Sequence, residues 1–361
     1  MKATQALHEA GQSLWLDNIT RTLLDEGTLA KYIAELSVTG LTSNPTIFEK
    51  AITGGDTYDE QVHSFHGSDM TDEQVFFEAA ISDLQRAADL FGDIHTRTDN
   101  LDGFVSLEVS PELAYDTDAT VAQAKELHAK VDRSNVFIKI PGTPEGLPAI
   151  SAAIHAGIPV NVTLLFNSAH ALAAADAYYT GLERRVADGL SPNIQSVASL
   201  FMSRWDVAVA DQVPSNLKDK LGLAIGGRAY RDYRDLLASE RVQALMNEGA
   251  RPQRLLWAST GTKDPEASDT LYISGLAAPY TVNTMPEGTL LDYGDHGPTP
   301  VVVMDPDGGD CEEVLSEFEA AGVDLDALAA KLQSDGASSF VNSWTTLIEA
   351  INAKRSDLAG E

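Results

Sequence analysis

Short apolar runs alternate with longer amphipathic stretches along this chain. The runs at 14–17, 38–42, 103–109, 136–140, 160–165, 196–201, 255–260 and 281–285 have the length and β-branched content of strands. Between them, 120–131, 169–186 and 202–213 carry apolar residues at helical spacing. A further helix is predicted over 71–91. It opens Thr71-Asp72-Glu73-Gln74, with Gln74 three residues after a capping threonine. Repeated strand–helix alternation predicts a parallel sheet. Eight such strands fit a closed (β/α)8 TIM barrel with additional helices, and a doubly wound open sheet is the second choice. The first strand is followed by no G-x-G-x-x-G, and the chain has no G-x-x-x-x-G-K-[ST] loop. Residues 43–102 are expected to carry at least two helices, and 218–249 a helical stretch in which Gly226-Gly227 makes a break. The acidic segment at about 310–358 is expected to be helical and to pack outside the barrel or over one mouth. With no Ser/Gly/Pro-rich linker and no internal repeat, residues 1–361 are read as one domain.

Composition narrows the classes of function. The chain has 361 residues, 43% of them hydrophobic, enough for a large core. Its formal net charge of −29 argues against nucleic acid or an anionic membrane as partner. It leaves a phosphorylated substrate open, since a few local cations hold one phosphate. One cysteine, Cys311, excludes an intrachain disulfide and suits a reducing compartment. Cys311 is placed near a helix start and read as a bystander. The polar start of the chain does not resemble a signal peptide, and no apolar run is long enough to span a bilayer. A cytoplasmic protein is expected, and the sequence leaves monomer and homodimer open.

The chemistry is sought at the strand ends, because a β/α barrel carries its site at their C-terminal edge. Val136-Phe137-Ile138-Lys139-Ile140 places a lysine inside an otherwise apolar strand. Lysine is rarely buried unless paired or used. A buried amine is a candidate nucleophile for carbonyls, but a core ion pair or an outward-reaching stem explains such a lysine equally well. The first strand ends Asp17-Asn18 and the second Thr42-Ser43-Asn44-Pro45. The third carries Glu108 late in its run, and the sixth runs through Ser199 and Phe201 to Arg204. Period-two alternation puts Ser106 with Glu108 on one face, and Asn161 with Thr163 on one face. Taken singly, Asp17-Asn18 reads as a cap, Asn44-Pro45 as a turn, Thr163 as a strand residue and Arg204 as a solvated first-turn cation. On consecutive strand ends they converge on one mouth, where buried polar groups satisfy one another or bind a ligand.

The segments Leu16-Asp17-Asn18, Gly40-Leu41-Thr42-Ser43-Asn44-Pro45, Val105-Ser106-Leu107-Glu108-Val109, Ile138-Lys139-Ile140-Pro141, Val160-Asn161-Val162-Thr163-Leu164-Leu165-Phe166 and Ser199-Leu200-Phe201-Met202-Ser203-Arg204 together resemble transaldolase. The resemblance runs in order from about residue 14 to 343. Trp257-Ala258-Ser259-Thr260-Gly261-Thr262-Lys263 and Thr281-Val282-Asn283-Thr284-Met285-Pro286 resemble the long, bacterial-type branch. The resemblance implies a class I aldolase-type barrel with no metal and no organic cofactor. It implies transfer of a dihydroxyacetone unit from sedoheptulose 7-phosphate to glyceraldehyde 3-phosphate, giving erythrose 4-phosphate and fructose 6-phosphate.

The same resemblance implies roles. Lys139 forms the Schiff base, and Asp17 is the general base at the C4 hydroxyl. Glu108 and Thr163 move protons through a water. Asn44 and Asn161 hold the hydroxyls of the dihydroxyacetone unit, and Arg204 binds phosphate with Ser199 beside it. Shorter transaldolases carry a second arginine after the seventh strand, in a G-A-S-F-R-like context. Here Ser259 matches better than Lys263 does, and the second cation stays open, with Lys263 in a displaced position as its candidate. Related aldolases that release dihydroxyacetone tend to have glutamine where this chain has Glu108 and tyrosine where it has Phe201, so both residues favour transfer. Two alternatives remain open: such an aldolase, and a silent barrel that binds sugar phosphates. His63 and His66, three apart, read as a solvated helix face. Asp305-Pro306-Asp307-Gly308-Gly309-Asp310 reads as a turn and helix cap, and His296 is assigned no role.

Overall fold

A computed structural model describes residues 2–357. Met1 and residues 358–361, part of the expected domain and helical segment, lie outside the described residues. Eight strands run parallel: β1 (Ser13–Asp17), β2 (Val38–Thr42), β3 (Val105–Glu108), β4 (Val136–Pro141), β5 (Val160–Leu165), β6 (Ser196–Phe201), β7 (Arg254–Ala258) and β8 (Val282–Met285). They are hydrogen-bonded in the order β2-β1-β8-β7-β6-β5-β4-β3. The seam between β2 and β3 is closed by Leu41 N–H donating to the Phe104 carbonyl and Gly103 N–H to that of Thr39, each at 3.0 Å. Ser43 Oγ adds a bond to the Ser106 carbonyl at 2.8 Å. The architecture is a (β/α)8 TIM barrel, not an open sheet. Gly40 permits the closure: a Cβ there would stand 2.6 Å from the Phe104 carbonyl oxygen and 2.7 Å from the Trp15 ring.

The strands are buried along their length because helices cover them outside and side chains fill the barrel inside. The buried apolar side chains form one continuous cluster. At the N-terminal edge the barrel is plugged by a polar knot. Asp102 accepts from Ser13 Oγ at 2.5 Å and from Trp15 Nε1 at 2.8 Å, and Arg254 Nη1 donates to Ser13 Oγ at 2.8 Å. Each partner satisfies another, and the knot lies at the opposite edge of the barrel from the C-terminal strand ends.

Several elements differ from the sequence reading. β3 is shorter than predicted at both ends. β7 stops at Ala258 because Ser259 adopts φ +55°, which turns the chain out of the sheet. The polar start of the chain is a helix, Ala3–Glu9. The 43–102 connection holds four helices, among them Pro45–Thr53 and Asp72–Leu90. The latter starts with the full capping box of Thr71 and Gln74. Gly226 and Gly227 do not break their helix, Leu221–Ala238. They let it pack closely, since a Cβ at Gly226 would meet Leu276 at 2.5 Å. Asp310 precedes the helix Cys311–Ala320 but forms no side-chain cap, and Thr20, not Asp17 or Asn18, caps the helix after β1. Cys311 is buried in that helix's first turn. The rings of His63 and His66 stack at 6.1 Å. No helix among the described residues is long and apolar enough to cross a membrane.

The helix Leu325–Asp357 lies over the C-terminal mouth of the barrel. At 33 residues it is roughly 50 Å long. One face carries Gln333, Gly336, Phe340, Trp344, Leu347 and Ile351, at steps of three and four. Gln333 Nε2 donates to the carbonyls of Gly142 and Leu164, at 3.1 and 2.9 Å. Leu164 sits in a β5 bulge at φ +59°, a strained setting for a bulky residue. Further along, the Thr46 and Ser343 hydroxyls bond at 2.8 Å, and Trp344 packs edge-on to Phe76. Near its end Arg355 pairs with Asp72 at 2.6 Å and Lys354 pairs with Asp59.

Candidate active site

The strand ends and the overlying helix enclose a cavity of about 340 Å³. Asp17, Asn44, Lys139, Thr163, Ser199, Phe201, Arg204, Ser259 and Lys263 all line it. Glu108 and Asn161 lie beneath, reached through Lys139 and Ser199. Parallel register explains the convergence. Glu108 pairs with Lys139 across β3/β4, and Lys139 with Asn161 across β4/β5. Residues two apart on each strand therefore share the inner face.

Lys139 is 5% exposed, and its Nζ donates to the Ser43 carbonyl at 3.1 Å and to Glu108 Oε2 at 3.3 Å. The ring of Phe340 lies over the ammonium, 5.7 Å from centroid to Nζ. Burial pushes the Glu108 carboxyl up. The neighbouring Lys139 charge and hydrogen bond oppose the shift, and Asp17 adds to it. Glu108 Oε1 and Thr163 Oγ1 are buried without a hydrogen-bond partner among the described residues. One belongs to the carboxylate bonded to Lys139 and the other to a residue that lines the same cavity as the lysine, and unsatisfied buried oxygens are the setting for a bound water or a substrate hydroxyl.

Asp17 is also pushed up by burial, opposed by the Lys139 charge, the Thr42 hydrogen bond and the Lys263 charge, in that order. Thr42 Oγ1 donates to Asp17 Oδ1 at 2.8 Å. Having given its proton there, Thr42 accepts from Thr284 Oγ1 at 2.7 Å. Thr42 and Thr284 both line the cavity, and this hydroxyl relay escapes a reading of the sequence because a threonine in a strand carries no signal of its own.

Asn44 caps the Pro45–Thr53 helix, its Oδ1 accepting from Ile47 N–H at 3.1 Å. The amide nitrogen is the end left for a ligand. Asn161 accepts from Ser199 Oγ at 2.6 Å and donates to Ser106 Oγ at 3.1 Å, so one amide proton remains free. The only proton of Ser199 is thus directed at Asn161. At the neighbouring strand ends Ser259 Oγ meets Ser203 Oγ at 2.9 Å.

Arg204 follows β6, held by its aromatic neighbours. Its guanidinium carbon is 5.0 Å from the Phe201 ring centroid and 6.0 Å from that of Phe340. Desolvation lowers its pKa, and none of the described carboxylates forms an ion pair with it. In a chain with 54 acidic and 25 basic side chains, Arg204 is a half-buried guanidinium that no described carboxylate neutralises, and its fork of donors suits an anion. Lys263, on the loop after β7, borders the same cavity, as does Lys50 on the Pro45–Thr53 helix. Thr46, Ile47, Lys50, Ala258, Ser339 and Phe340 complete the lining and carry no mark in the sequence that singles them out. Among the described residues no cluster of three or more His, Cys, Asp or Glu is placed to hold a metal.

Residues 14–351 match the family model described as transaldolase/fructose-6-phosphate aldolase. The chain belongs to this family. It is similar to the transaldolase of Saccharopolyspora erythraea, 42% identical over 353 residues and 96% of each chain. It is 44% identical over 358 residues to that of Thermobifida fusca, again over 96% of each. It is 42% identical over 359 residues to that of Thiobacillus denitrificans, covering 97% of this chain and all of the relative. In this family member the Lys139 amine, the Asp17 carboxylate and the Arg204 guanidinium line one cavity.

Proposed function

We propose that the chain is a transaldolase working through a Schiff base on Lys139. The reading rests on one observation above the rest: Lys139, buried against Glu108, faces a cavity that also holds Asp17 and Arg204. The amine attacks the ketose carbonyl to give a carbinolamine. Glu108 and Thr163, with a water between their unpartnered oxygens, carry the proton that lets hydroxide leave as water. The resulting iminium draws electrons from the C3–C4 bond. Asp17 takes the C4 hydroxyl proton, an aldose phosphate departs, and an enamine of dihydroxyacetone stays on Lys139. The aldose acceptor then reverses these steps. Asn44 and Asn161 position the three-carbon unit, Phe201 walls it, and Arg204 holds the phosphate with Ser199, Ser259 and Lys263 nearby.

The donors and acceptors are sedoheptulose 7-phosphate with glyceraldehyde 3-phosphate, and fructose 6-phosphate with erythrose 4-phosphate, a step of the pentose phosphate pathway. Transfer is favoured over simple cleavage by Glu108 and Phe201. A single cysteine supports a reducing, cytoplasmic setting. Mass spectrometry after mixing the protein with fructose 6-phosphate and erythrose 4-phosphate tests the reading. Sedoheptulose 7-phosphate forming at turnover supports it. Free dihydroxyacetone with no heptulose makes the protein an aldolase, and no product makes it a silent barrel.

A further inference from the structure

We propose that Phe340, carried by the helix over the barrel mouth, determines whether the enamine on Lys139 is transferred or hydrolysed. The proposal rests on the Schiff-base reading above. Once the first aldose phosphate leaves, the covalent intermediate has two fates. The enamine attacks an acceptor aldehyde, or it takes a proton to become an iminium and water adds to the iminium carbon. In the second case the carbinolamine collapses, the C–N bond breaks, and free dihydroxyacetone and the lysine amine are released. One water is consumed and no redox change occurs. Which fate prevails depends on how much water reaches the iminium carbon before the acceptor does.

Phe340 is the apolar cover at that point. Its ring lies 5.7 Å from Lys139 Nζ, it lines the cavity, and it is 6% exposed. An aromatic ring at that point fills the space next to the lysine with apolar surface and offers water no hydrogen-bond partner. The ring is held in place from both sides. Two turns earlier Gln333 is bonded to the Gly142 and Leu164 carbonyls, and one turn earlier Gly336 lies close to Leu164 and Arg204. A Cβ on Gly336 would stand 2.9 Å from Leu164 Cδ2 and 3.0 Å from Arg204 Nη1. One turn later Trp344 is buried against Phe76 and Phe77. The strained β5 bulge that presents the Leu164 carbonyl is thus the socket for the helix that brings Phe340 over Lys139.

The test is the ratio of free dihydroxyacetone to sedoheptulose 7-phosphate made from fructose 6-phosphate and a fixed concentration of erythrose 4-phosphate. Opening the cover in Phe340→Ala is expected to raise the ratio about tenfold or more, because water then competes with the acceptor. Phe340→Leu keeps an apolar cover and should stay near the parent ratio. Gln333→Ala removes the two bonds that dock the helix on the Gly142 and Leu164 carbonyls and should raise the ratio, which keeps the test open if Phe340→Ala fails to fold. An unchanged ratio in a folded Phe340→Ala, or equal losses of both products, overturns the proposal. Borohydride trapping of the parent chain separates the two readings. No adduct on Lys139 refutes the Schiff base itself, whereas an adduct with an unchanged ratio refutes only the role of Phe340.

Discussion

Removing the guanidinium of Arg204 gives the most quantitative check on its proposed contact with phosphate. In Arg204→Ala the cavity loses a half-buried cation that pairs with none of the described carboxylates, and gains volume between Phe201 and Phe340. A guanidinium fork gives a phosphate two charge-assisted hydrogen bonds, worth about 1.5–3 kcal/mol each. The sum, about 3–6 kcal/mol, converts at 1.36 kcal/mol per decade to a loss of ~10²–10⁴-fold. Arg204 is only half buried, so solvent screens part of this and the lower half of the range is expected, about 10²–10³-fold in kcat/KM. Most of the loss should appear in KM, because the phosphate is remote from the C3–C4 bond. The assay compares fructose 6-phosphate with fructose as donor, each with the same acceptor. Fructose should lose less than about threefold, having no phosphate to place. Arg204→Lys should recover only part of the deficit, since a point charge replaces a planar fork. Equal losses with both donors would refute the reasoning and make Arg204 a packing residue for its aromatic neighbours.

Lys139→Met, which keeps the stem's volume and removes the amine, should abolish turnover and borohydride trapping while native circular dichroism persists; residual turnover above background contradicts the Schiff base. Burial raises the pKa of Asp17, which must be ionised to act as base, so kcat/KM should fall as pH drops through a value above the ordinary carboxylate range of about 4. An acid limb at or below that range in the pH–rate profile removes Asp17 from the role. Gly40→Ala forces a methyl against the Phe104 carbonyl and the Trp15 ring, and should cost about 1–3 kcal/mol in urea unfolding. An unchanged midpoint would show that the seam has slack.

The strands are legible because each inner face repeats every second residue and each run is bounded by turn or cap residues. That alternation by itself puts Ser106 and Glu108, and Asn161 and Thr163, on common faces. What escapes has a common physical origin. Thr42 and Thr284 read as ordinary strand threonines, and only the closed barrel brings Thr284 against Thr42 and Asp17. Phe340 belongs to an amphipathic stripe with Trp344 and Leu347, which looks like any core-facing helix surface. Nothing local shows that this stripe covers a mouth instead of a barrel wall. Gly40 reads as a weak spot in a strand until Phe104 and Trp15 close in on it. The apolar pattern carries β7 past its true end because a left-handed serine has no reliable sequence mark.

The β2/β3 seam has a kinetic meaning. The two acceptors that hold the Lys139 ammonium come from opposite banks of it, the Ser43 carbonyl from beyond β2 and the Glu108 carboxylate from β3. Few backbone bonds cross between those banks, and the long excursion of residues 43–102 begins and ends there. A barrel opens as a sub-global unit where its ladder is thinnest. Amide hydrogens of Leu41 and Gly103 should therefore exchange earlier than those along β5 to β7. Each such opening parts the two acceptors and releases the Lys139 ammonium from both. Ligand that bridges Asn44 and Lys139 would act as a staple across the gap, so occupancy of the cavity should slow exchange at the seam more than anywhere else in the barrel.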